Sequence, residues 1–392
     1  MISRILIPIL LAILLSDIYI DRRYLCRYFR LKWQMRLLWW IPSVLMLTAT
    51  VVLSCARNFA PADATILNKY LLVLAIVVIP KLLFMLCSVA GWGMQRLFHT
   101  KRNYGNIAGF FLAAAEIFIL IWGATAGFQK LDVRHADFYS ASLPEAFDGY
   151  RIVHFSDAHV GTYDMSREYL LRNAIACMNA QKADLIVFTG DIQNITPDEI
   201  YPHAAALSML NAPDGVVSVL GNHDYANYID ASDSLKAANC DETVRIQEQA
   251  MMWKLLRNES IVVRRGSDSI VVAGMENWGT MKPEHRRGDI AKTLHGVSQD
   301  DFVIMLQHDP SAWDALIMKN RLRPQLTLSG HTHAMQFMLF GWSPASLIYD
   351  EWGGMYYKDG CAINVSTGLG GFIPFRFGVP GEIVVITLHR KK

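Results

Sequence analysis

Five short stretches combine histidine, aspartate and asparagine at spacings that suit a metal centre: Ser156-Asp157-Ala158-His159, Thr189-Gly190-Asp191, Gly221-Asn222-His223-Asp224, Gln307-His308-Asp309 and Ser329-Gly330-His331-Thr332-His333. Side chains alternate along an extended chain, so Asp-x-His and His-x-His each send two side chains to one side. A single intervening residue lets both reach one ion. Mixed imidazole and carboxylate donors suit Zn, Mn or Fe better than Ca or Mg. One aspartate can bridge two cations, and seven ligands sharing one bridge fit two ions at roughly 3.5–4 Å. Glycines at 190, 221 and 330 permit tight turns and close approach to a ligand. Each stretch alone is weak, because a lone Asp-x-His is commonly coincidence and Gly-Asn-His-Asp is also a good turn. Five of the chain's twelve histidines lie in these turns, and their joint occurrence in this order carries the signal.

The elements that must position these groups are strands. An apolar run precedes each turn: 151–155, 184–188, 216–220, 302–306 and 326–328. Further strand-length runs fall at 261–263, 270–273, 362–365 and 382–388, rich in β-branched residues. Helical patterns lie between several of them, at Ser166–Ala180 with Ser166 as the expected cap, at Asp198–Leu210 and at Asp241–Leu256. Residues 225–250 read as a polar excursion. Ligands just past the carboxyl ends of strands converge on one crevice in sheet proteins. The expectation is an α/β fold, a layered sheet core flanked by helices, over residues 131–392.

The preceding 130 residues are of another kind. Segments 37–55, 70–92 and 107–128 are apolar and long enough to span a bilayer, which takes about 20 residues. Segment 2–20 is a weaker fourth, read as a retained helix rather than a signal-peptide core. The chain of 392 residues has a net charge of +2, but residues 1–136 hold 15 Lys/Arg and 5 Asp/Glu, leaving 22 and 30 for the rest. The net of +10 against −8 separates two regions in different environments. Loop 21–36 carries six Lys/Arg, loop 93–106 three, and loop 57–69 only Arg57 and Lys69. The positive-inside rule then places the first and third loops in the cytoplasm and everything after residue 130 outside. Lys81 and Glu116 fall near mid-span. They read either as an ion pair between neighbouring helices or as a snorkelling lysine and a protonated glutamate.

In its ordered blocks, the region from about Leu143 to Leu388 resembles the calcineurin-like metallophosphoesterases. At its ends the resemblance is closer still, to a membrane-attached or exported bacterial branch, through Leu143-Pro144 to Gly149 at the start and Ser366 through Pro380 at the end. The resemblance implies a four-layer sandwich of two packed sheets with flanking helices, and two divalent metal ions (Mn, Fe or Zn). By motif, Asp157, His159, Asp191 and His333 would hold the first ion. Asp191 would bridge, and Asn222, His308 and His331 would complete the second. His223 would face the phosphate as the catalytic acid, with Asp224 orienting or balancing it. Asn194 departs from the family pattern, where an aspartate is common, and puts any supporting role there in doubt. The resemblance implies that the ligand residues would hold two ions whose chemistry, if bound, would be to supply hydroxide for attack on phosphorus.

Arg376, in the glycine-rich tail, reads either as a clamp on a substrate phosphate or as a salt bridge at a sheet edge. Gly368-Leu369-Gly370-Gly371 fits an anion-binding turn or a plain one. Arg264 and Arg265 fit a solvated turn and Cys177 a core position; Cys240 and Cys361 could pair in an oxidising compartment, but nothing in the sequence fixes their distance and the expectation is against it. The expected function is a membrane-anchored phosphoesterase, a phosphodiesterase by resemblance, acting on a lipid-linked or envelope substrate with the bilayer as partner. A nuclease of the same fold is the alternative, disfavoured by the −8 of the outer region because phosphate backbones need basic tracks. A non-catalytic metal-binding membrane sensor is the third reading, against which the complete ligand set and His223 both stand.

Overall fold

The computed structural model describes residues 2–55, 65–164 and 166–391, and Arg57 of the second loop lies outside them. The chain divides into two compact units, Met1–Thr125 and Ala126–Lys392.

The first unit contains α1 (Ile2–Ile20), α2 (Trp33–Cys55), α3 (Thr65–Leu97) and α4 (Gly105–Trp122). Trp33–Cys55, Ile66–Leu97 and Gly105–Gly127 are long and apolar enough to cross a membrane. Their large side chains, such as Val52, Ile66, Phe110 and Phe118, face outward. A helix that is apolar outside as well as inside belongs in lipid. Within the bundle, Ile13, Met46, Tyr70 and Val78 form a small apolar core. Polar groups close on one another. Lys81 Nζ donates to Asp17 Oδ1 (2.8 Å) and to Ser43 Oγ (2.7 Å), so three helices meet at one half-buried cation. Of the two readings of Lys81 and Glu116, neither is seen for Lys81: its partner is Asp17 on α1 and not Glu116 on α4. Neither oxygen of Glu116 bonds a protein group among the described residues. Sequence spacing could not rank these acids, because the choice depends on which helices pack together.

The second unit has twelve strands: β1 (Leu131–Ser140), β2 (Arg151–Phe155), β3 (Leu185–Phe188), β4 (Val216–Ser218), β5 (Lys254–Leu255), β6 (Glu259–Arg265), β7 (Asp268–Gly274), β8 (Val303–Leu306), β9 (Leu326–Ser329), β10 (Gly354–Lys358), β11 (Cys361–Val365) and β12 (Gly381–Arg390). They make two six-stranded sheets, ordered β1-β12-β2-β3-β4-β5 and β10-β11-β9-β8-β7-β6. Strand alternation builds the layers. Ile152, Leu185, Val187 and Val217 face Ile270, Val272, Ile304, Leu306 and Leu326 between the sheets. The neighbours Val153, Phe155, Ile186, Phe188 and Val216 point the other way, under α5 (Glu168–Ala180) and α6 (Tyr201–Leu207). On the second sheet, Val303 and Met305 turn outward to Trp313 and Ile317. The result is the four-layer sandwich, with both sheets buried on both faces, which explains why their strands read as unbroken apolar runs.

Several local expectations differ from what is seen. Helix α5 begins at Glu168, because Ser166 Oγ donates to Asp164 Oδ1 (2.5 Å) instead of capping it. The helix expected at 241–256 is α7 (Asp233–Arg245), capped by Ser232, whose Oγ accepts from Leu235 N. Beyond a wide turn at Ile246–Ala250, the apolar residues expected to complete that helix form β5, paired with β4. Arg265 ends β6 and pairs with Asp184 rather than lying free in a turn. Cys240 and Cys361 are both free thiols in separate apolar clusters.

Candidate metal centre

β2, β3 and β4 run parallel in one sheet, and β8 and β9 run parallel in the other. Their carboxyl ends therefore deliver the five ligand turns to one rim of the sandwich. The turns bend sharply. Asp157, His159, Asp191, His331 and His333 all take positive φ, at 52°, 43°, 60°, 72° and 50°. Such backbone costs on the order of 1–3 kcal/mol per non-glycine residue and persists only where the surroundings impose it. Two glycines make the approach possible: a Cβ at Gly221 would collide with the Asp191 carboxylate, and one at Gly330 with Asp157 and Ser156.

Three groups of ligand atoms result, each within 4.8 Å: Asp157 with His159 and His333, His159 with Asp191 and His223, and Asp191 with His308 and His331. His333 Nε2 lies 3.2 Å from Asp157 Oδ1. His308 Nε2 lies 3.1 Å from both Asp191 Oδ2 and Asn222 Oδ1. Supporting contacts fix the rings. His308 Nδ1 donates to the Thr189 carbonyl (2.8 Å), and His331 Nε2 meets the Tyr349 hydroxyl (3.0 Å). That leaves His308 Nε2 and His331 Nδ1, 3.2 Å apart, facing the cluster.

The donor set fits a cation. Both ring nitrogens of His159, Asp157 Oδ1 and His333 Nδ1 are buried without a protein hydrogen-bond partner among the described residues. Buried polar atoms are nearly always satisfied, so a cluster of orphans marks a place for another partner. Burial, followed by the neighbouring His223 and His333, holds the His159 imidazole well below its ordinary range. Burial likewise lowers His333 to about 4. Neutral imidazoles are the ligand form. Burial opposes charge on Asp191 and His308 as well. Their mutual attraction wins, holding Asp191 well down and pushing His308 up to about 10. Asp191 thus demands a positive charge, which a metal ion would supply in place of the His308 proton.

His159, Asp157, Asp191, Asn222, His308, His331 and His333 all meet at this rim. His223 joins them. Its Nδ1 donates to the Asn194 carbonyl (2.6 Å), so Nε2 faces inward. Of the two roles expected of Asp224, orienting His223 or balancing its charge, no direct contact with the His223 ring supports the first among the described residues. The Asp224 carboxylate accepts from the backbone N–H groups of Asp191 (2.9 Å), Ile192 (2.9 Å) and Gly221 (2.8 Å) and holds two ligand turns together. Burial and then the Asp191 charge push its carboxyl up to about 7. Arg376 also differs: it is 1 % exposed, and its guanidinium donates to the carbonyls of Thr367, Gly368, Gly370, Val379 and Pro380. A clamp needs donors aimed at solvent; these are committed to the loop that carries Gly368 against Asp157 and His333.

Some participants escaped sequence reasoning. Asn194 orients His223 through its backbone carbonyl, so its side-chain type does not matter for that contact. Tyr228 stacks on His223 (4.3 Å between rings), and its hydroxyl accepts from Asn222 Nδ2 (2.8 Å). Lys282 donates to the same hydroxyl (3.3 Å). Nothing in a lone Tyr or Lys between polar residues signals such a role. Beside the cluster lies a cavity of about 270 Å³ whose walls include Asn222, Tyr228, Lys282, Asp309, His331 and Tyr349.

Residues 150–335 match the calcineurin-like phosphoesterase family, and residues 3–128 match the family described as the transmembrane domain of probable calcineurin-like phosphoesterases. The uncharacterised metallophosphoesterase YkuE of Bacillus subtilis is 34% identical over 64% of this chain and 82% of its own length. An uncharacterised metallophosphoesterase of Campylobacter jejuni, Cj0846, is 23% identical over 98% of both chains. A zebrafish (Danio rerio) transmembrane protein with a metallophosphoesterase domain is 26% identical over 69% of this chain and 60% of its own.

The chain belongs to the calcineurin-like metallophosphoesterases. It is a membrane protein whose second unit is a phosphoesterase of the kind that binds divalent metals.

Proposed function

We propose that the chain is a membrane-anchored phosphoesterase using two divalent ions, with a phosphodiester of a lipid-linked or envelope compound as its substrate. The observation that carries the metal count is the sharing of ligands: Asp191 and His159 each belong to two of the three ligand groups. Asp157, His159, Asp191 and His333 would hold one ion. Asp191, Asn222, His308 and His331 would hold the other. When bound, such a pair supplies hydroxide at neutral pH and neutralises phosphoryl oxygens, the chemistry expected of Mn, Fe or Zn in mixed nitrogen and oxygen ligands.

The chain's own residues do the rest. His223 keeps its Nδ1 proton on the Asn194 carbonyl and directs Nε2 at the phosphoryl group. Burial holds its imidazolium down, so an anionic phosphoryl group beside it is what raises its affinity for a second proton. That proton, at Nε2, then passes to the departing alkoxide. Asp224 keeps the 191 and 221 turns in register, and Arg376 keeps the Gly368 loop against Asp157.

Preference for a diester follows from family resemblance, and preference for a lipid-linked substrate from the membrane helices. The six basic residues of loop 21–36 support a cytoplasmic position for that loop. Three spans follow that loop, so the catalytic unit would lie on the exocytoplasmic side whether or not α1 also spans. Hydrolysis of an aryl phosphodiester and the matching monoester with Mn²⁺ tests the reading. Activity favouring the diester and lost in both Asp191→Ala and His223→Ala is the expected result. Full retention in both variants overturns it.

A further inference from the structure

Beyond His333, residues 335–348 run for fourteen positions without a charged side chain. Within them Leu339 and Trp342 exchange both backbone hydrogen bonds (2.9 and 3.0 Å), closing a two-residue hairpin. Its tip is Phe340-Gly341, with φ of 51° and 80°. Turns of this hand favour Asn-Gly or Asp-Gly, because a bulky side chain at positive φ is strained. Here the strained position holds a phenylalanine that is 99 % exposed. Leu347 is 76 % exposed, and Trp342, Ile348, Leu339 and Met335 are also exposed. A monomer in water gains nothing from this arrangement.

The base of the segment is firmly held. Met338 N donates to the Phe377 carbonyl (2.7 Å), Phe337 stacks on Phe377, and Ser343 Oγ donates to the Ala334 carbonyl (2.6 Å). The tip is therefore a fixed apolar projection. Its foot adjoins the metal centre: Met335 and Ile348 line the same cavity as Asn222, Asp309 and His331.

We propose that residues 335–348 are a bilayer-contacting hairpin that seats the catalytic unit on lipid and admits an amphipathic phosphoester, tail outward, to the adjoining cavity. The substrate clause rests on the phosphoesterase reading above; the contact itself does not. A lipid occupant is favoured over a protein by three observations. Only three residues, 128–130, lie between the Gly123–Gly127 turn after α4 and the start of β1, so the unit is tethered within about 10 Å of chain from a membrane helix. Tryptophan and phenylalanine flanked by leucine, without charge, are the side chains that partition into the headgroup boundary. A narrow projecting tip also lacks the broad complementary surface of a protein interface.

The test uses the full chain in nanodiscs of phosphatidylethanolamine and phosphatidylglycerol. A benzophenone side chain is placed at Phe340 or, as control, at Val262 on β6, also exposed. Lipid adducts at 340 and none at 262 are expected. Equal labelling, no adduct, or adducts to protein would overturn the contact. For the substrate clause, Phe340→Ser with Leu347→Ser should lower turnover of a long-chain phosphoester in the bilayer by about tenfold or more, the factor carried by burying one large apolar side chain. Turnover of the water-soluble aryl phosphodiester should stay within about twofold, since neither residue lines the cavity. Equal loss on both substrates overturns the clause. A wild-type chain that cleaves neither overturns the phosphoesterase reading and the substrate clause, while the cross-linking result still decides the contact.

Discussion

The two units bury polar groups in opposite ways. In the helices, polar side chains find one another. Lys81 bonds Asp17 and Ser43, Arg36 forks onto both oxygens of Asp21, and Tyr24 and Ser88 both bond Asn106 Oδ1. In the catalytic unit, Asp157 Oδ1, both ring nitrogens of His159 and His333 Nδ1 are buried without a protein hydrogen-bond partner among the described residues, and these three residues form one ligand group. Glu116 is the contrasting case in the helices, an acid without a protein hydrogen bond among the described residues and outside the ligand groups. The difference separates polar groups that hold a structure together from polar groups arranged for something the chain does not itself contain.

That contrast can be broken experimentally. Asp191→Ala removes the shared ligand. It should reduce phosphoesterase turnover by about a thousandfold or more, the scale of losing a main source of transition-state charge stabilisation, while the helical unit keeps its stability. Steady-state kinetics and thermal unfolding in detergent read the two effects. Lys81→Ala should do the reverse. It strands a buried Asp17, at a cost of about 3–5 kcal/mol, and leaves turnover per folded molecule on a soluble phosphodiester unchanged. Asp17→Asn combined with Lys81→Met should recover much of that stability.

Arg376→Lys is expected to have a smaller effect. A lysine cannot reproduce the fork that serves five carbonyls, so the Gly368 loop loosens against Asp157. Apparent Mn²⁺ affinity should fall by about tenfold, as for other residues that support a ligand, whereas a substrate clamp would raise KM at saturating metal. The least effect comes from pH. His154 is buried, and burial lowers its imidazole to about 3; its ring bonds Thr189 and Asn364. The folded state binds this proton less readily than the unfolded chain, whose ordinary value is near 6.5. Its contribution is therefore full above pH 6.5 and is lost as pH falls towards 3. Thermal melts across that range should show the catalytic unit weakening, and His154→Gln should flatten the slope.

Much of this was legible in the sequence, for physical reasons. Strands buried on both faces read as apolar runs, and the ligand turns follow them directly, so β2, β3, β4, β8 and β9 and their donors could be found together. β1 was missed because it is an edge strand in which Arg134 and His135, adjacent and on opposite faces, are both exposed and break the apolar alternation. α7 was misplaced because residues 251–256 look as apolar as a helix face, whereas Lys254 and Leu255 within them pair with β4 as β5. The partner of Lys81, the backbone role of Asp224 and the commitment of Arg376 all depend on distances between remote segments. Spacing along the chain does not encode these.

The central claim is that two ions sit at one shared carboxylate. X-ray anomalous scattering from crystals of the purified full chain, loaded with Mn²⁺, addresses it directly. The account predicts two peaks flanking Asp191, one ringed by Asp157, His159 and His333 and the other by Asn222, His308 and His331, and the loss of both or all but one in Asp191→Ala. A single peak away from Asp191, or none at full Mn²⁺ loading, would contradict it.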